Sequence, residues 1–145
     1  MSDRGKVLYV ENPYQYESGD QKKEEERGKN FRAYFERKGF EIDHIKGLNM
    51  SAVKTSITTF DYDFMVTHLF AITTDDGRDY HPAFSRIKNL KIVHLQTHNK
   101  DIKVILYTGA NINEFERLLN ENITGTVKKS SEFNRDFASI ERLLN

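Results

Sequence analysis

The chain has 145 residues, a length that fits one domain with a sizeable buried core. Its 22 basic and 22 acidic side chains give a formal net charge of zero, so no global field attracts it to nucleic acid or to an anionic membrane, and we expect neither as a partner. The absence of cysteine excludes disulfides and cysteine-ligated metals, and no apolar run is long enough for a membrane span or a signal-peptide core, so we expect a soluble, cytoplasmic protein.

The first part of the chain alternates between strand and helix signals. Residues 6–10 are a short β-rich apolar run that stops before Pro13, whose nitrogen carries no hydrogen for a sheet ladder. Residues 40–45 alternate apolar and polar side chains, which is typical of a second strand with one more exposed face. The first predicted helix is capped by Asp20 and ended by Gly39. We interpret its charged run at 22–27 as a solvated face. The second predicted helix is capped by Asn49 or Ser51 and closed by Phe60.

The stretch at 61–70 predicts the central strand of the fold. An apolar run from Phe64 to Val66 follows a polar start and leads into Thr67 and His68. This pattern is typical of a strand that is buried on both faces of a parallel sheet. Because ligand chemistry in open α/β sheets gathers outside the carboxyl ends of the strands, His68 is a candidate site residue.

The second half of the chain continues the alternation. A long connection rich in turn residues follows His68 and precedes a helix that begins near Pro82. The remaining predicted elements are a strand at 102–107, a helix capped by Asn111 or Asn113, a short strand at 123–127, and a last helix capped by Ser131. Five strands alternating with five helices predict a three-layer, doubly wound parallel sheet, because right-handed crossovers place helices on both faces. We expect a single domain over residues 1–145, without an output domain.

Polar residues stand at the ends of four predicted strands. They are Glu11 and Asn12 after the first strand, His68 after the third, Thr108 and Gly109 after the fourth, and Lys129 and Ser130 after the fifth, with Tyr62 and Asp63 before the third strand. By this pattern the chain, over residues 5–145, resembles a CheY-like response-regulator receiver domain. In that family these places hold two acids, the phosphoacceptor aspartate, a hydroxyl residue before a small one, and Lys-Pro. The resemblance implies a flavodoxin-like, five-stranded parallel sheet with strand order 2-1-3-4-5.

The departures from the receiver pattern concern the phosphoryl chemistry. Transfer to a receiver needs a carboxylate nucleophile and a Mg²⁺ ion held by hard oxygen ligands. Here Glu11 is the one acid, Asn12 is a neutral amide, and His68 offers an imidazole that binds Mg²⁺ poorly. We therefore expect a degenerate receiver, or pseudo-receiver, that is not an enzyme, has no cofactor and binds Mg²⁺ weakly or not at all. Either Lys128 or Lys129 would be the pocket lysine.

His68 allows several interpretations at the end of its strand. It could be a hydrogen-bonded structural residue, carry a phosphohistidine, bind a soft divalent metal together with Glu11, or form an ion pair with Glu11. The ion pair is the most economical of the functional interpretations. It would raise the pKa of His68 and give stability that is present at low pH and lost as the pH rises through that value.

Two further groups of possible metal ligands occur in the sequence. His94 and His98 are four residues apart and would share a helix face, but we interpret them as two polar residues at a fraying helix end. Asp75 and Asp76 lie in the connection after the central strand, which could fold back to the same edge of the sheet. No metal site is predicted from either group.

Partner surfaces are predicted at the rim of the same edge and on one face of the fold. The connections at 12–20 and 71–82 are longer than compact loops need, and Tyr14, Tyr16 and Tyr80 would be their amphipathic anchors. The resemblance also implies the face of the fourth helix, fifth strand and fifth helix, where the residues are Asn113, Glu116, Arg117, Lys128 and Arg135.

These observations favour a receiver-like signalling module that acts by phosphorylation-independent protein-protein interaction. Its partner would be a histidine kinase, another signalling protein, or a second copy bound through the face just described. One alternative is a two-component receiver with an unorthodox phosphoacceptor, His68 or a loop aspartate. The other is a flavodoxin-like binder of a small molecule or nucleotide, which the absence of a glycine-rich phosphate loop disfavours.

Overall fold

The computed structural model describes residues 5–11, 18–46, 50–68, 72–74, 77–79, 81–109 and 123–144. Its strands are β1 (Gly5–Glu11), β2 (Phe40–Lys46), β3 (Phe64–Thr67), β4 (Ile72–Thr74), β5 (Gly77–Asp79), β6 (Lys103–Thr108) and β7 (Gly125–Lys128). Its helices are α1 (Ser18–Arg37), α2 (Met50–Thr59), α3 (His81–His98) and α4 (Phe133–Leu144). Within these ranges no helix combines the length and the apolar character that crossing a bilayer requires.

The main sheet has five parallel strands in the order β2-β1-β3-β6-β7. In this sheet β6 and β7 are the fourth and fifth strands, so the predicted order 2-1-3-4-5 is confirmed. Helices connect the described strands on both faces, which is the flavodoxin-like arrangement that the sequence predicts. The predicted fourth helix, with its caps Asn111 or Asn113, lies outside the described residues.

The core has two layers, one on each face of the sheet. Leu8 and Val10 of β1 face α2 and α3, whereas Val7 and Tyr9 face α1 and α4. All four residues of β3 are buried, as a central parallel strand requires. The layer under α1 and α4 is rich in aromatic rings, which bury large apolar areas.

A short antiparallel pair, β4 with β5, interrupts the stretch predicted as an irregular connection. The register places Thr74 opposite Gly77, so two residues of the sequence separate the paired strands. The signal was present in the sequence, because three residues with β-branched side chains precede two acidic residues and a glycine. Asp75 and Asp76 themselves lie outside the described residues, so their predicted folding back is untested.

Two predicted helix caps need correction. The first helix already begins at Ser18, so Asp20 lies inside it. Of the two alternatives for the second helix, Ser51 lies inside α2, whereas Asn49 directly precedes α2 and lies outside the described residues. Ser131 stands two residues before α4 begins, and it is the carbonyl of Glu132, directly before the helix, that accepts the Asp136 N–H at 3.1 Å. In each case several hydroxyl or acidic residues stand close together, and the sequence does not say which of them the backbone selects.

Candidate functional site at the carboxyl edge of the sheet

The strand ends bring four of the predicted pocket residues to one edge of the sheet. Glu11 ends β1, His68 follows β3, Thr108 ends β6, and Lys129 follows β7. The backbone ladder continues into this edge, because the Lys129 N–H donates to the Thr108 carbonyl at 2.9 Å. Thr108 is buried, with 3% of its surface exposed. Asn12, the fifth predicted member, lies outside the described residues.

Lys129 is the lysine at this edge, and its ammonium is already held by helix α1. Its Nζ lies 2.8 Å from Glu24 Oε2, and both side chains are largely buried, at 8% and 14% exposure. Burial lowers the pKa of Lys129, and the nearby Glu24 carboxylate offsets part of that effect. Lys128 is exposed on β7. The lysine that a receiver would offer to a phosphoryl group is therefore ion-paired with a carboxylate of the protein itself.

Arg27 extends this ion pair into a buried network. The residue is 3% exposed and forms an ion pair with Glu24. Its Nε donates to the Tyr107 hydroxyl at 3.1 Å, and its guanidinium donates to the Ser130 carbonyl at 2.8 Å. The prediction that the charged run at 22–27 is simply a solvated face is wrong for Glu24 and Arg27, although Lys22, Lys23, Glu25 and Glu26 are exposed.

Asp136 of α4 completes the network from the other side. Tyr107 donates its hydroxyl hydrogen to Asp136 Oδ2 at 2.6 Å. The same carboxylate accepts the Ser130 N–H at 2.9 Å and, on Oδ1, the Ser130 hydroxyl at 2.6 Å. Helix α1, strand β6 and the turn between β7 and α4 are thus joined by charge-assisted hydrogen bonds in a buried setting.

Glu11 is turned toward β2 and α1. It is 5% exposed, and its Oε1 lies 3.3 Å from His44 Nε2, although this buried nitrogen makes no hydrogen bond of good geometry. Helix α1 has Gly28 at this point, where an added Cβ would lie 2.7 Å from His44 Cε1 and 3.0 Å from Glu11 Oε1. The absence of a side chain at Gly28 is what lets the helix approach the pair so closely.

His68 is in an environment that favours the neutral imidazole. Burial, together with the positive charge of Lys129, lowers the pKa of His68 to about 3. The expected ion pair with Glu11, which would raise this pKa, is therefore wrong. The error arose because the strand ends bring the Lys129 cation near His68 while Glu11 lies against His44.

The side chain of His68 also lines a small cavity on the α2 and α3 side of the sheet. The cavity has a volume of about 20 Å³ and its walls are mostly apolar, formed by residues such as Met65, Ala83 and Ile87. This volume holds roughly one water molecule. It offers no room for a nucleotide or a flavin in the arrangement described.

The interpretation of His94 and His98 as polar residues at a fraying helix end is wrong. His94 is fully buried, its Nε2 accepts the Tyr62 N–H at 2.9 Å, and its Nδ1 lies 2.8 Å from the Lys100 carbonyl. This pattern fixes the neutral tautomer with hydrogen on Nδ1, so its 3.7 Å approach to Asp61 is not an ion pair. His98 Nε2 lies 2.9 Å from the Ile57 carbonyl. Both imidazole rings therefore contact backbone groups. Among the described residues, no three potential ligands cluster around a position for a metal ion.

The predicted partner surface is only partly described. Lys128 and Arg135 are exposed. The predicted surface residues outside the described ranges are Tyr14, Tyr16, Tyr80, Asn113, Glu116 and Arg117, and of the two connections residues 12–17, 71, 75–76 and 80 also lie outside them. The residues that the sequence reasoning missed are Glu24, Arg27, His44 and Asp136. A signal for Arg27 exists, because it precedes Phe31 and Phe35 at intervals of four and so shares their buried helix face.

Comparison with known proteins identifies the fold. No protein-family model and no curated protein matches the chain. Among solved structures, a response regulator from Desulfuromonas acetoxidans is 18% identical with a TM-score of 0.60, and the match covers 96% of this chain and 95% of that one. A sensor protein from Polaromonas sp. JS666 is 17% identical with a TM-score of 0.60, covering 97% and 96% of the two chains. The receiver domain of the Francisella response regulator 1452 is 16% identical with a TM-score of 0.59, covering 97% of each. At these identities the likeness establishes the flavodoxin-like fold that receiver domains have.

Proposed function

We propose that the protein is a receiver-like signalling module that acts through protein-protein interaction without phosphorylation. The likeness to solved response regulators supports the receiver-like part of this proposal. The part of the proposal that excludes phosphorylation is supported by the buried ion pair between Lys129 and Glu24. A lysine held in this way is not free to follow a phosphoryl group at the end of β3.

The other groups at the edge support the same proposal. Phosphorylation of a receiver needs a carboxylate acceptor and oxygen ligands for Mg²⁺. Position 68 holds an imidazole, and the buried Glu11 carboxylate lies against His44. Mg²⁺ binding at this edge is therefore expected to be weak or absent, since it would have to displace Glu11 from that contact.

The network also gives a reason for a fixed interaction surface. In a switch, the turn after the last strand must take up two arrangements of similar free energy. Here the turn is held by hydrogen bonds from Arg27 to the Ser130 carbonyl and from Ser130 to Asp136. We therefore expect this turn to have a single arrangement, to which a protein partner binds.

The experiment uses the full chain as bait in an extract of its own organism. The captured proteins are compared before and after the bait is incubated with acetyl phosphate and Mg²⁺. We expect the same partner to be captured in equal amount under both conditions. Capture that appears only after incubation with acetyl phosphate would overturn the proposal.

A second candidate is a receiver with His68 as an unorthodox phosphoacceptor. One observation favours it: the lowered pKa of His68 keeps the imidazole neutral at pH 7, which is its nucleophilic form. In this reaction the imidazole nitrogen attacks the phosphorus of acetyl phosphate and acetate leaves. Intact-mass measurement would then show an adduct of roughly 80 Da that is lost in a His68→Gln variant. An unchanged mass removes this candidate. The cavity beside His68 does not favour the third interpretation, a small-molecule or nucleotide binder.

A further inference from the structure

A groove lies between the C-terminal end of α1 and helix α4, away from the residues described above. It has a volume of about 360 Å³ and is lined by Tyr34, Arg37, Lys38 and Asn134. Arg37, Lys38 and Asn134 are exposed, and the Tyr34 ring is half-buried. The groove therefore offers two cations, an amide and an aromatic wall to solvent.

The charges around the groove do not balance. Tyr34 donates its hydroxyl hydrogen to Glu141 Oε1 at 2.8 Å, and Lys38 Nζ lies 3.5 Å from the same oxygen. Burial and this hydrogen bond raise the pKa of Tyr34. Arg37 lines the groove together with Lys38, so two cations share one carboxylate and leave an excess of one positive charge. Since the whole chain has a net charge of zero, this excess is local.

The donors around the groove are only partly used. Arg37 donates from Nε to the Ala33 carbonyl at 3.1 Å, which leaves the two terminal nitrogens of its planar guanidinium pointing away from that bond. Lys38 Nζ lies 5.2 Å from the centroid of the Tyr34 ring, so the aromatic wall and the cation form one surface. Arginine and tyrosine are, with tryptophan, the residue types that are enriched among the residues that dominate binding energy at protein interfaces.

We infer that this groove binds an acidic segment of a protein partner, with Arg37 and Lys38 contacting carboxylates and Tyr34 packing against the segment. Charge complementarity selects an acidic ligand. The groove is open and combines a ring with charged side chains, which suits a segment of polypeptide better than a small free anion. This inference rests on the proposed interaction function and names the chemistry of the partner.

The test is a titration of the full chain with a short polyglutamate peptide, followed by ¹H–¹⁵N NMR, with polyglutamine as the neutral control. We expect shifts at the groove that are weakened by added salt. An Arg37→Glu variant should weaken binding about tenfold. The matched control is Arg32→Glu, which makes the same charge change at an exposed position of the same helix, where Arg32 pairs with Glu36 at 3.6 Å. The control should bind as the unaltered chain does.

Three outcomes overturn the inference. They are shifts spread over the whole surface, equal weakening in the two variants, and inorganic phosphate producing the same shifts at the same concentrations, which would make the groove a site for free anions. An Asn134→Ala variant, at an exposed position of α4, provides a second probe if Arg37→Glu fails to fold. If the peptide does not bind while the bait still captures its partner, the groove is refuted as the binding site and the proposed function is unaffected. If capture depends on acetyl phosphate, the proposed function is refuted and the result of the peptide titration is unaffected.

Discussion

Replacing Glu24 by glutamine removes the carboxylate that neutralises two buried cations, Lys129 and Arg27. At the observed 2.8 Å and an effective dielectric constant of about 20, the attraction between Glu24 and Lys129 is about 6 kcal/mol before the cost of burying both groups. Breaking a buried pair on one side typically costs about 3–5 kcal/mol, because the remaining charge stays buried without compensation. We expect about 3 kcal/mol for Glu24→Gln, since the amide oxygen can still accept a hydrogen bond.

The assay is urea unfolding at neutral pH, with Glu25→Gln as the matched control on the exposed side of the same helix. The control should change the free energy of unfolding by less than about 0.5 kcal/mol. Combining Glu24→Gln with Lys129→Met should destabilise the protein by at least about 1 kcal/mol less than the sum of the two single changes. A Glu24→Gln protein as stable as its control would refute the claim that Lys129 is held by this ion pair.

Three further predictions concern Gly28, His68 and His94. Gly28→Ala should lower the free energy of unfolding by about 1–2 kcal/mol despite the better helix propensity of alanine, because its Cβ would lie 2.7 Å from His44 Cε1; a more stable variant would contradict the close approach. His68 has a folded pKa of about 3 and an unfolded value of 6.5, so below pH 6.5 the unfolded chain binds a proton that the folded protein does not, and the free energy of unfolding falls by up to about 1.4 kcal/mol per pH unit toward pH 3. In His68→Gln the free energy of unfolding should fall less steeply over this range. An unchanged dependence on pH would refute the burial of the neutral ring. His94→Ala should cost about 3 kcal/mol in thermal or urea unfolding, because it leaves the buried Tyr62 N–H without its acceptor, and a loss below about 1 kcal/mol would contradict that role.

The parallel sheet could be predicted because its signals are local, whereas its strand order is what the receiver resemblance implies. Runs such as 6–10 and 64–66 are apolar and short, and helical patterns separate them, so the alternation fixes a doubly wound parallel sheet. The carboxyl ends of its strands must then share one edge. Together with the receiver resemblance, that geometry predicts a common edge for Glu11, His68 and Lys129, which end or follow β1, β3 and β7.

The contacts within the site could not be predicted in the same way. Whether Glu11 contacts His68 or His44 depends on the register of β1 with β2, which places His44 opposite Tyr9, and on a helix that approaches closely at Gly28. Glu24 and Lys129 are separated by 105 residues, and no pattern of charges along the chain indicates which side chains will meet at that distance. A charged run on a helix is usually solvated, and only the spacing of Arg27 from Phe31 shows that part of this run faces inward.

The central claim, that the module works without phosphorylation, is tested most directly by one measurement on the full chain. The protein is incubated with acetyl phosphate and Mg²⁺ at neutral pH, and its intact mass and ¹H–¹⁵N NMR spectrum are recorded before and after. We predict an unchanged mass and unchanged resonances for Thr108 and Lys129. An adduct of roughly 80 Da, accompanied by shifts at these two residues, would contradict the claim.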